Sequence, residues 1–221
     1  MNVWQSLTDI PGNEASVVTI GNFDGMHNGH KKVIATCVDR AHKLGVDAIA
    51  ITFDPHPIQV HRPEVGLQLI SPLRDRLDAM AAAGLDATLV AHYDKSVYSL
   101  EPDEFVYEFL VERCGAREVV VGEDFRFGRG NSGTIDTLRA LGRQYGFDVL
   151  TVTDIEAPEG RRWSSSWVRE LLAAGDVSGA ARPVSRVPAR RHLRWHKPPV
   201  QRRGPHRRSP RSGPLRPQPV R

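Results

Sequence analysis

The feature that most constrains this fold is an alternation of apolar, β-branched runs with amphipathic segments through residues 16–175. The apolar runs predict strands at 16–20, 47–53, 87–91, 117–122 and 147–152. The amphipathic segments predict helices at 28–44, from Ser71–Pro72 to near Gly84, and at 101–115, 132–145 and 164–175. Strands joined by helices run parallel, so the sequence predicts an α/β fold, a Rossmann-like doubly wound parallel sheet.

The junction between the first predicted strand and the first predicted helix reads GNFDGMHNGH over residues 21–30. His27 and His30 are three residues apart, so they can lie on the same side of the first helical turn. A helix N-terminus offers unpaired N–H groups to an anion, and imidazole can donate to phosphate oxygens. Gly29 leaves room for a nucleotide near the backbone. The alternative is a strained turn with a surface histidine pair, but the coincidence of these features favours a phosphate site.

A second segment, RRWSSSWVRE over 161–170, places three serines at a predicted helix start and Arg169 one turn later. Hydroxyl groups, backbone N–H groups and a guanidinium would all suit a phosphate there. By itself, an ordinary serine cap followed by a solvated arginine is the simpler interpretation.

Two further stretches end predicted strands at the edge where ligands bind in such folds. TFDPHP (52–57) sets His56 between Pro55 and Pro57, and VVGEDFRFG (120–128) carries aromatic residues. Aromatic side chains at a site edge could stack on a flat ligand, although they could equally fill the core.

The junction at 21–30 resembles the H-x-G-H signature of the nucleotidyltransferase superfamily. Together with TFDPHP, VVGEDFRFG and SSSWVR, in this order, it resembles the FMN adenylyltransferase domain at the N-terminus of bacterial bifunctional riboflavin kinase/FAD synthetases. The resemblance covers about residues 1–181. It implies the reaction ATP + FMN → FAD + pyrophosphate, with Mg²⁺ accompanying ATP and no covalent enzyme intermediate.

The resemblance also implies roles for individual residues. His27 and His30 would contact the triphosphate and stabilise charge in the transition state. The implied ATP site comprises these two histidines with Gly21, Phe23, Asp24, Gly25, Gly29, Ser164, Ser165, Ser166 and Arg169. The implied FMN site comprises Pro55, His56, Pro57, Asp124 and Phe127. The family often has asparagine in place of Asp124 and threonine in place of Ser166, and no metal ligand on the chain is implied.

The charge of the chain divides it into two parts. Of its 30 Lys and Arg residues, 12 lie in 183–221, which has no Asp or Glu, so residues 1–182 hold 18 basic and 26 acidic residues. The segment 183–221 also has nine prolines and no apolar periodicity. We therefore predict one nucleotidyltransferase domain over 1–182 and a basic, disordered tail over 183–221. The tail lacks the P-T-A-N motif and strand pattern of the family's riboflavin kinase domain, so that activity is predicted to be lost.

Other features bear on location. Cys37 and Cys114 are too few and too far apart for a disulfide framework or a zinc site. The sequence has neither an apolar run of membrane-spanning length nor a secretory leader pattern. We expect a cytoplasmic protein with no membrane partner and leave its oligomeric state open.

Two alternatives remain. A nucleotidyltransferase could use another phosphate acceptor, such as pantetheine phosphate or nicotinamide mononucleotide, although TFDPHP and DFRFG argue against it. An inactive remnant could instead bind nucleic acid weakly through the basic tail, with Trp195 stacking on bases. That binding would depend steeply on salt and would be lost on truncation at residue 182.

The loss of every acidic residue after Asp176 motivates a further hypothesis, that the tail arose from a reading-frame shift in a GC-rich gene. Sequencing the source gene tests it, and an intact frame with no kinase-coding segment downstream would refute it. Removal of residues 183–221 is expected to leave adenylylation intact, because every motif above precedes the cut. The measurement is FAD formation from FMN by the truncated chain, and loss of activity would show that the tail belongs to the fold.

Overall fold

The computed structural model of the protein describes residues 1–11, 15–153, 155–156, 160–182, 184 and 193–195. Its centre is a sheet in which every strand pairing is parallel. The strands are β1 Asn2–Trp4, β2 Ser16–Ile20, β3 Asp47–Asp54, β4 Ala87–His92, β5 Ala116–Gly122, β6 Asp148–Val152 and β7 Arg194–Trp195. All five strands predicted from apolar runs are present, which confirms the α/β class.

The strand order is β6-β5-β2-β3-β4-β1-β7. From β2 the chain adds β3 and β4 on one side, then crosses back to add β5 and β6 on the other. The direction of winding therefore reverses between β2 and β5, as in doubly wound folds, and a crevice opens where their carboxyl ends diverge.

The helices cover both faces of this sheet. They are α1 Asn28–Leu44, α2 Pro57–His61, α3 Leu73–Ala82, α4 Lys95–Tyr98, α5 Pro102–Phe105, α6 Ile135–Tyr145, α7 Ser165–Ala173 and α8 Val177–Ala181. Helix α5 continues directly as a π-helix over Val106–Arg113, and short 3₁₀ turns occupy Leu7–Asp9, Pro63–Val65 and Arg129–Asn131. Among the described residues, no helix has both the length and the apolar character that a bilayer span requires.

Along the strands, alternate apolar side chains belong to two separate clusters, one on each face of the sheet. Val18 and Ile20 of β2 pack in one cluster with residues of the α5/π-helix and α6, such as Phe109 and Leu138. Val17 packs in the other cluster with residues of α1 and α3, such as Ile34. This two-sided burial explains why the strands are apolar throughout rather than alternating.

Three predicted helices differ from the structure at one or both ends. The helix predicted over 132–145 begins at Ile135, because the Thr134 hydroxyl caps it by accepting from the Thr137 N–H. Pro72, not Ser71, takes the N-cap position of α3. The helix predicted over 101–115 starts at Pro102 and its π-helical part ends at Arg113, two residues before Gly115.

Most of the tail lies outside the described residues, so its predicted disorder and the predicted domain boundary remain predictions. The structure differs from the expectation at one point, since Arg194–Trp195 forms a strand on the open edge of β1. The Arg194 N–H donates to the Met1 carbonyl at 3.2 Å. An edge strand pairs through its backbone, so side-chain composition gave no sign of this pairing.

Candidate active site

A two-part cleft lies at the carboxyl ends of β2 and β5. The first part, which we call the histidine compartment, has a volume of about 310 Å³. Its lining includes His27, His30, His56, Asp124, Arg162, Ser164, Ser165, Ser166 and Arg169. The second part, the aromatic compartment, has a volume of about 300 Å³ and is lined by residues including Phe53, Tyr93, Tyr98, Phe105, Phe125 and Phe127. Both parts share the residues Ile20, Gly21, Asn22, Ile58 and Phe125, so they adjoin at the end of β2.

The two signature histidines stack on each other in the histidine compartment. Their ring centroids are 3.6 Å apart at an interplanar angle of 26°, and His30 also meets the edge of Phe23 at 5.3 Å. The Nδ1 atoms of both histidines are buried and make no hydrogen bond to any described residue. The prediction that His27 and His30 share one side of the helix start is confirmed in the structure.

The environment of the pair disfavours protonation. Burial, reinforced by the charges of Arg162 and Lys31, lowers the pKa of His27 to about 4. Burial, the neighbouring His27 and two arginines hold the pKa of His30 well below its usual 6.5. Both imidazoles are therefore neutral at pH 7, and each can donate one hydrogen bond to a phosphate oxygen.

The loop over residues 21–27, which we call the histidine loop, ends at His27 and has an unusual backbone. Phe23 and Met26 have φ angles of 51° and 43°, and Gly25 has a φ of 77°. Left-handed conformations are unfavourable for side chains as large as Phe and Met, so surrounding contacts must hold the loop. At Gly25 a Cβ atom would also lie 2.8 Å from the Ile70 side chain, which leaves space only for glycine.

Asp24 supplies the main restraint. Its side chain is fully buried and accepts hydrogen bonds from the Ile70 and Ser71 N–H groups at 3.1 and 3.0 Å, and it forms an ion pair with Arg169. The Ser165 hydroxyl donates to the Asp24 carbonyl at 3.0 Å. One residue thus ties the histidine loop to the chain before α3 and to the start of α7.

Ser71, predicted as a helix cap, also restrains this loop. Its hydroxyl accepts from the Gly25 N–H at 2.9 Å and donates to the Asp24 carboxylate at 3.3 Å. The Ser71 hydroxyl therefore bonds to the loop, and α3 has no side-chain cap at its N-cap residue Pro72, so the predicted Ser71 N-cap was wrong.

The serine segment is brought to the histidines as predicted, since Ser164, Ser165, Ser166 and Arg169 all line the histidine compartment. Ser164 caps α7 by accepting from the Trp167 N–H at 3.2 Å. The Arg169 Nε also donates to the Gln68 carbonyl at 2.9 Å, in addition to its ion pair with Asp24. In this structure Ser165 and Arg169 hold the site together, while Ser166 is exposed at the edge of the compartment.

The residues implied for flavin divide between the compartments. Pro57 and Phe127 line the aromatic compartment, whereas His56 and Asp124 line the histidine compartment and Pro55 lines neither. The His56 Nδ1 accepts from the Ile58 N–H at 3.1 Å, so its ring caps α2. Burial lowers the pKa of His56 to about 4, which suits this acceptor role.

Sequence reasoning missed two arginines at this site. Arg76 is fully buried, and its Nη1 donates to the Asn22 carbonyl at 2.7 Å. Its Nε and Nη2 have no hydrogen-bond partner among the described residues, although Nη2 lies 3.7 Å from the Asp54 carboxylate. Its position on the apolar stripe of α3 was the available signal. Arg162 lines the histidine compartment and pairs with Asp124. The sequence did not distinguish Arg162 from the adjacent Arg161.

The aromatic compartment was also only partly predicted. Phe53 and Tyr93 meet edge to face at 5.4 Å, and His61 donates to or accepts from the Tyr93 hydroxyl at 2.9 Å. Phe53 and Tyr93 lie at or just after the ends of neighbouring strands β3 and β4. Aromatic residues at successive strand ends are the signal that could have identified them.

Within the described part of the chain, no group of three or more His, Cys, Asp or Glu side chains is placed to hold a metal ion. The carboxylate of Asp24, the most buried acid of the loop, is already engaged by two backbone amides, a hydroxyl and an arginine. The described residues therefore supply no preformed cation site.

The FAD synthetase family matches residues 9–167, which include both histidines and the start of α7. The chain belongs to the FAD synthetase family. A protein of Geobacillus thermodenitrificans, provisionally named as a bifunctional riboflavin kinase/FMN adenylyltransferase, is 38% identical over 172 residues, covering 78% of this chain and 88% of its own length. The resemblance stated from the motifs is confirmed.

Two further members of the family are bifunctional riboflavin kinase/FMN adenylyltransferases. The protein from Pseudomonas fluorescens is 36% identical over 80% of this chain, and that from Escherichia coli K12 is 33% identical over 75% of it. The matched segments are 56% and 52% of those two proteins, so the chain spans about half the length of each.

Solved structures show the same fold at low identity. A Streptococcus pneumoniae protein titled as a macrolide-efflux protein superposes with a TM-score of 0.72 at 24% identity, over 83% of this chain and 61% of that one. Pantothenate synthetase from Thermus thermophilus superposes with a TM-score of 0.53 at 15% identity, over 82% and 80%. These likenesses support the predicted fold class.

Replacement of Asp24 by asparagine is expected to lower the free energy of unfolding by about 2–4 kcal/mol, because it removes the buried partner of Arg169. The matched control is Asp39→Asn, which breaks the exposed pair with Lys43 and should cost under about 0.5 kcal/mol. Urea denaturation measures both variants. Equal, small losses would mean that Asp24 does not hold the loop.

The low pKa of His27 predicts a pH dependence of stability. Between pH 6.5 and about 4 the unfolded chain binds a proton at this residue that the folded chain does not, so stability falls as the pH falls through this window. His27→Gln removes that contribution and should reduce the loss of unfolding free energy between pH 6.5 and 4.5.

Denaturation at several pH values measures this slope, with His42→Gln on the exposed face of α1 as the control. The control should retain the slope of the unchanged protein. A His27→Gln slope equal to that of the unchanged protein would contradict the neutral assignment.

Proposed function

We propose that this protein transfers AMP from ATP to FMN, producing FAD and pyrophosphate. The observation that carries the proposal is the junction of two unlike compartments at the end of β2. One contains stacked neutral histidines between the N-termini of α1 and α7, and the other is lined by aromatic rings. A phosphate ester with a flat aromatic ring is the kind of acceptor that would occupy both.

The reaction would be a direct displacement. An oxygen of the FMN phosphate forms a bond to the α-phosphorus of ATP while the bond from that phosphorus to the bridging oxygen of the β-phosphate breaks and pyrophosphate leaves. The positive ends of the α1 and α7 dipoles and the N–H groups of His27 and His30 would stabilise the charge that develops on the phosphates. Positioning and charge stabilisation then carry the catalysis.

The described residues of the cleft include no activated nucleophile for a covalent step. Burial raises the pKa of the Cys37 and Cys114 thiols to about 12, and neither cysteine lines the cleft. The Ser164 hydroxyl caps α7 and the Ser165 hydroxyl donates to Asp24. We therefore infer direct transfer without an enzyme-bound intermediate.

We propose Mg²⁺ as the cation, arriving with ATP. The described residues supply no preformed metal site, and Mg²⁺ is commonly held by substrate phosphates and water with few protein ligands. When bound, it would neutralise part of the triphosphate charge. The residues of the chain would bind the remaining phosphate oxygens.

The isoalloxazine ring of FMN would lie in the aromatic compartment. Phe125 and Phe127 follow β5 and stack there with ring centroids 5.5 Å apart. The Phe53–Tyr93 pair lies at the ends of β3 and β4, which are on the other side of β2 in the sheet. Stacking on such rings favours a planar aromatic acceptor over pantetheine phosphate, which has no ring. This contrast is why flavin is preferred over the first alternative acceptor.

We also propose that this chain does not phosphorylate riboflavin. Its similarity to the two longer relatives is confined to about half of each, and the residues beyond 182 show no kinase motif. The buried free cysteines fit the proposed cytoplasmic location. Nucleic-acid binding by the tail involves mostly residues outside those described and remains the weaker alternative.

The test is one chromatographic assay. Purified protein is incubated with ATP and Mg²⁺ and with either FMN or riboflavin, and the flavins are then separated. FAD from FMN, with no product from riboflavin, is the expected result. A folded sample that forms no FAD would overturn the proposed acceptor.

His27→Ala and His30→Ala are each expected to lower kcat by about 10²–10³-fold and to change FMN affinity much less, because the charge they stabilise develops in the transition state. Steady-state kinetics and flavin fluorescence titration measure the two quantities. His42→Ala is the control and should behave like the unchanged protein. A histidine variant with unchanged kcat would show that its role is misassigned.

A further inference from the structure

The histidine compartment contains a carboxylate, Asp124, whose negative charge opposes the binding of a triphosphate there. Asp124 follows β5, and its Oδ2 accepts a hydrogen bond from the Arg162 Nη2 at 2.6 Å. Arg162 lies in the segment that leads into α7, so this ion pair crosses between the two sides of the compartment. Both side chains influence His27, since Arg162 lowers and Asp124 raises the pKa of that residue.

The two arginines that line this compartment differ in how firmly they are held. Arg169 pairs with Asp24, whose side chain is 1% exposed, and also donates to a backbone carbonyl. Arg162 and Asp124 have side chains that are 41% and 62% exposed. An exposed pair is weak and is screened by salt, so a ligand can displace its carboxylate far more easily than it can displace Asp24.

We propose that Asp124 restrains Arg162, and that the triphosphate of ATP binds by taking this guanidinium from the carboxylate. The inference rests on the proposed use of ATP. The Arg162 fork can engage phosphate oxygens as readily as a carboxylate. Asp124 therefore weakens triphosphate binding twice, by competing for Arg162 and by placing a like charge in an anion site.

The competition is specific to an acid at this position. Asparagine fills nearly the same volume as aspartate without the negative charge. The exchange of Asp124 for asparagine therefore separates charge from shape. It leaves every hydrogen bond of the histidine loop in place, because none of those bonds involves Asp124.

The test measures binding of inorganic tripolyphosphate, and separately of ATP, by isothermal titration calorimetry without flavin. Asp124→Asn is expected to lower the Kd for tripolyphosphate by about threefold to tenfold at low ionic strength, and the gain should shrink as salt is added. The matched control is Asp136→Asn, which breaks an exposed pair with Arg139 outside the two compartments and should leave the Kd unchanged. Unchanged or weaker tripolyphosphate binding by Asp124→Asn would overturn the proposal.

A double-mutant cycle tests whether Arg162 is the group released. Arg162→Gln should weaken tripolyphosphate binding, and Asp124→Asn should improve binding less in that background than in the unchanged protein. An equal improvement in both backgrounds would show that Asp124 acts only by repulsion and would overturn the competition. Circular dichroism confirms that each variant is folded.

These measurements separate the inference from the proposed function. Tighter tripolyphosphate binding by Asp124→Asn in a protein that makes no FAD would support the restraint of Arg162 and overturn FMN as acceptor. FAD formation with no change in tripolyphosphate or ATP affinity on Asp124→Asn would support the function and overturn the restraint.

Discussion

The site depends on the buried carboxylate of Asp24. The histidine loop contains two non-glycine residues with left-handed backbone, and such a conformation persists only when its surroundings hold it. Asp24 does so by accepting hydrogen bonds from the chain before α3 and by pairing with Arg169 of α7. The stacking of His27 on His30, and the closeness of α7 to both, follow from this one restraint.

A second buried charge sets the electrostatics beneath the site. Arg76 holds the Asn22 carbonyl, which the Thr52 hydroxyl also contacts at 3.2 Å, and its field adds to the burial that keeps His30 and His56 neutral. Burial in turn lowers the pKa of Arg76 itself. The protein thus places fixed positive charge behind uncharged imidazoles, an arrangement that attracts an anion while leaving the histidines as hydrogen-bond donors.

Much of this could be predicted from the sequence because it depends on local pattern. The run at 16–20 and the helix Asn28–Leu44 have the predicted bounds, since burial and helical periodicity act over neighbouring residues. The meeting of the histidines with the serine segment was predicted through the motifs. The hydrogen-bond and ion-pair partners of Asp24, Ser71 and Arg169 could not be predicted, because these contacts join residues far apart in the chain. The ion pair of Asp124 with Arg162 has the same cause, since nothing in the local sequence distinguishes these two residues from solvated charges. The burial of Arg76 had a local signal in its position on the apolar stripe of α3, but its partner, the Asn22 carbonyl, is distant in the chain.

The central claim is that one acceptor spans the aromatic and histidine compartments. The most direct measurement is a crystal structure of the protein with FMN and a non-hydrolysable ATP analogue. The account predicts the isoalloxazine ring against Phe125 and the Phe53–Tyr93 pair, with the FMN phosphate directed toward His27 and His30. A flavin bound elsewhere, or a nucleotide whose phosphates lie away from the stacked histidines, would contradict it.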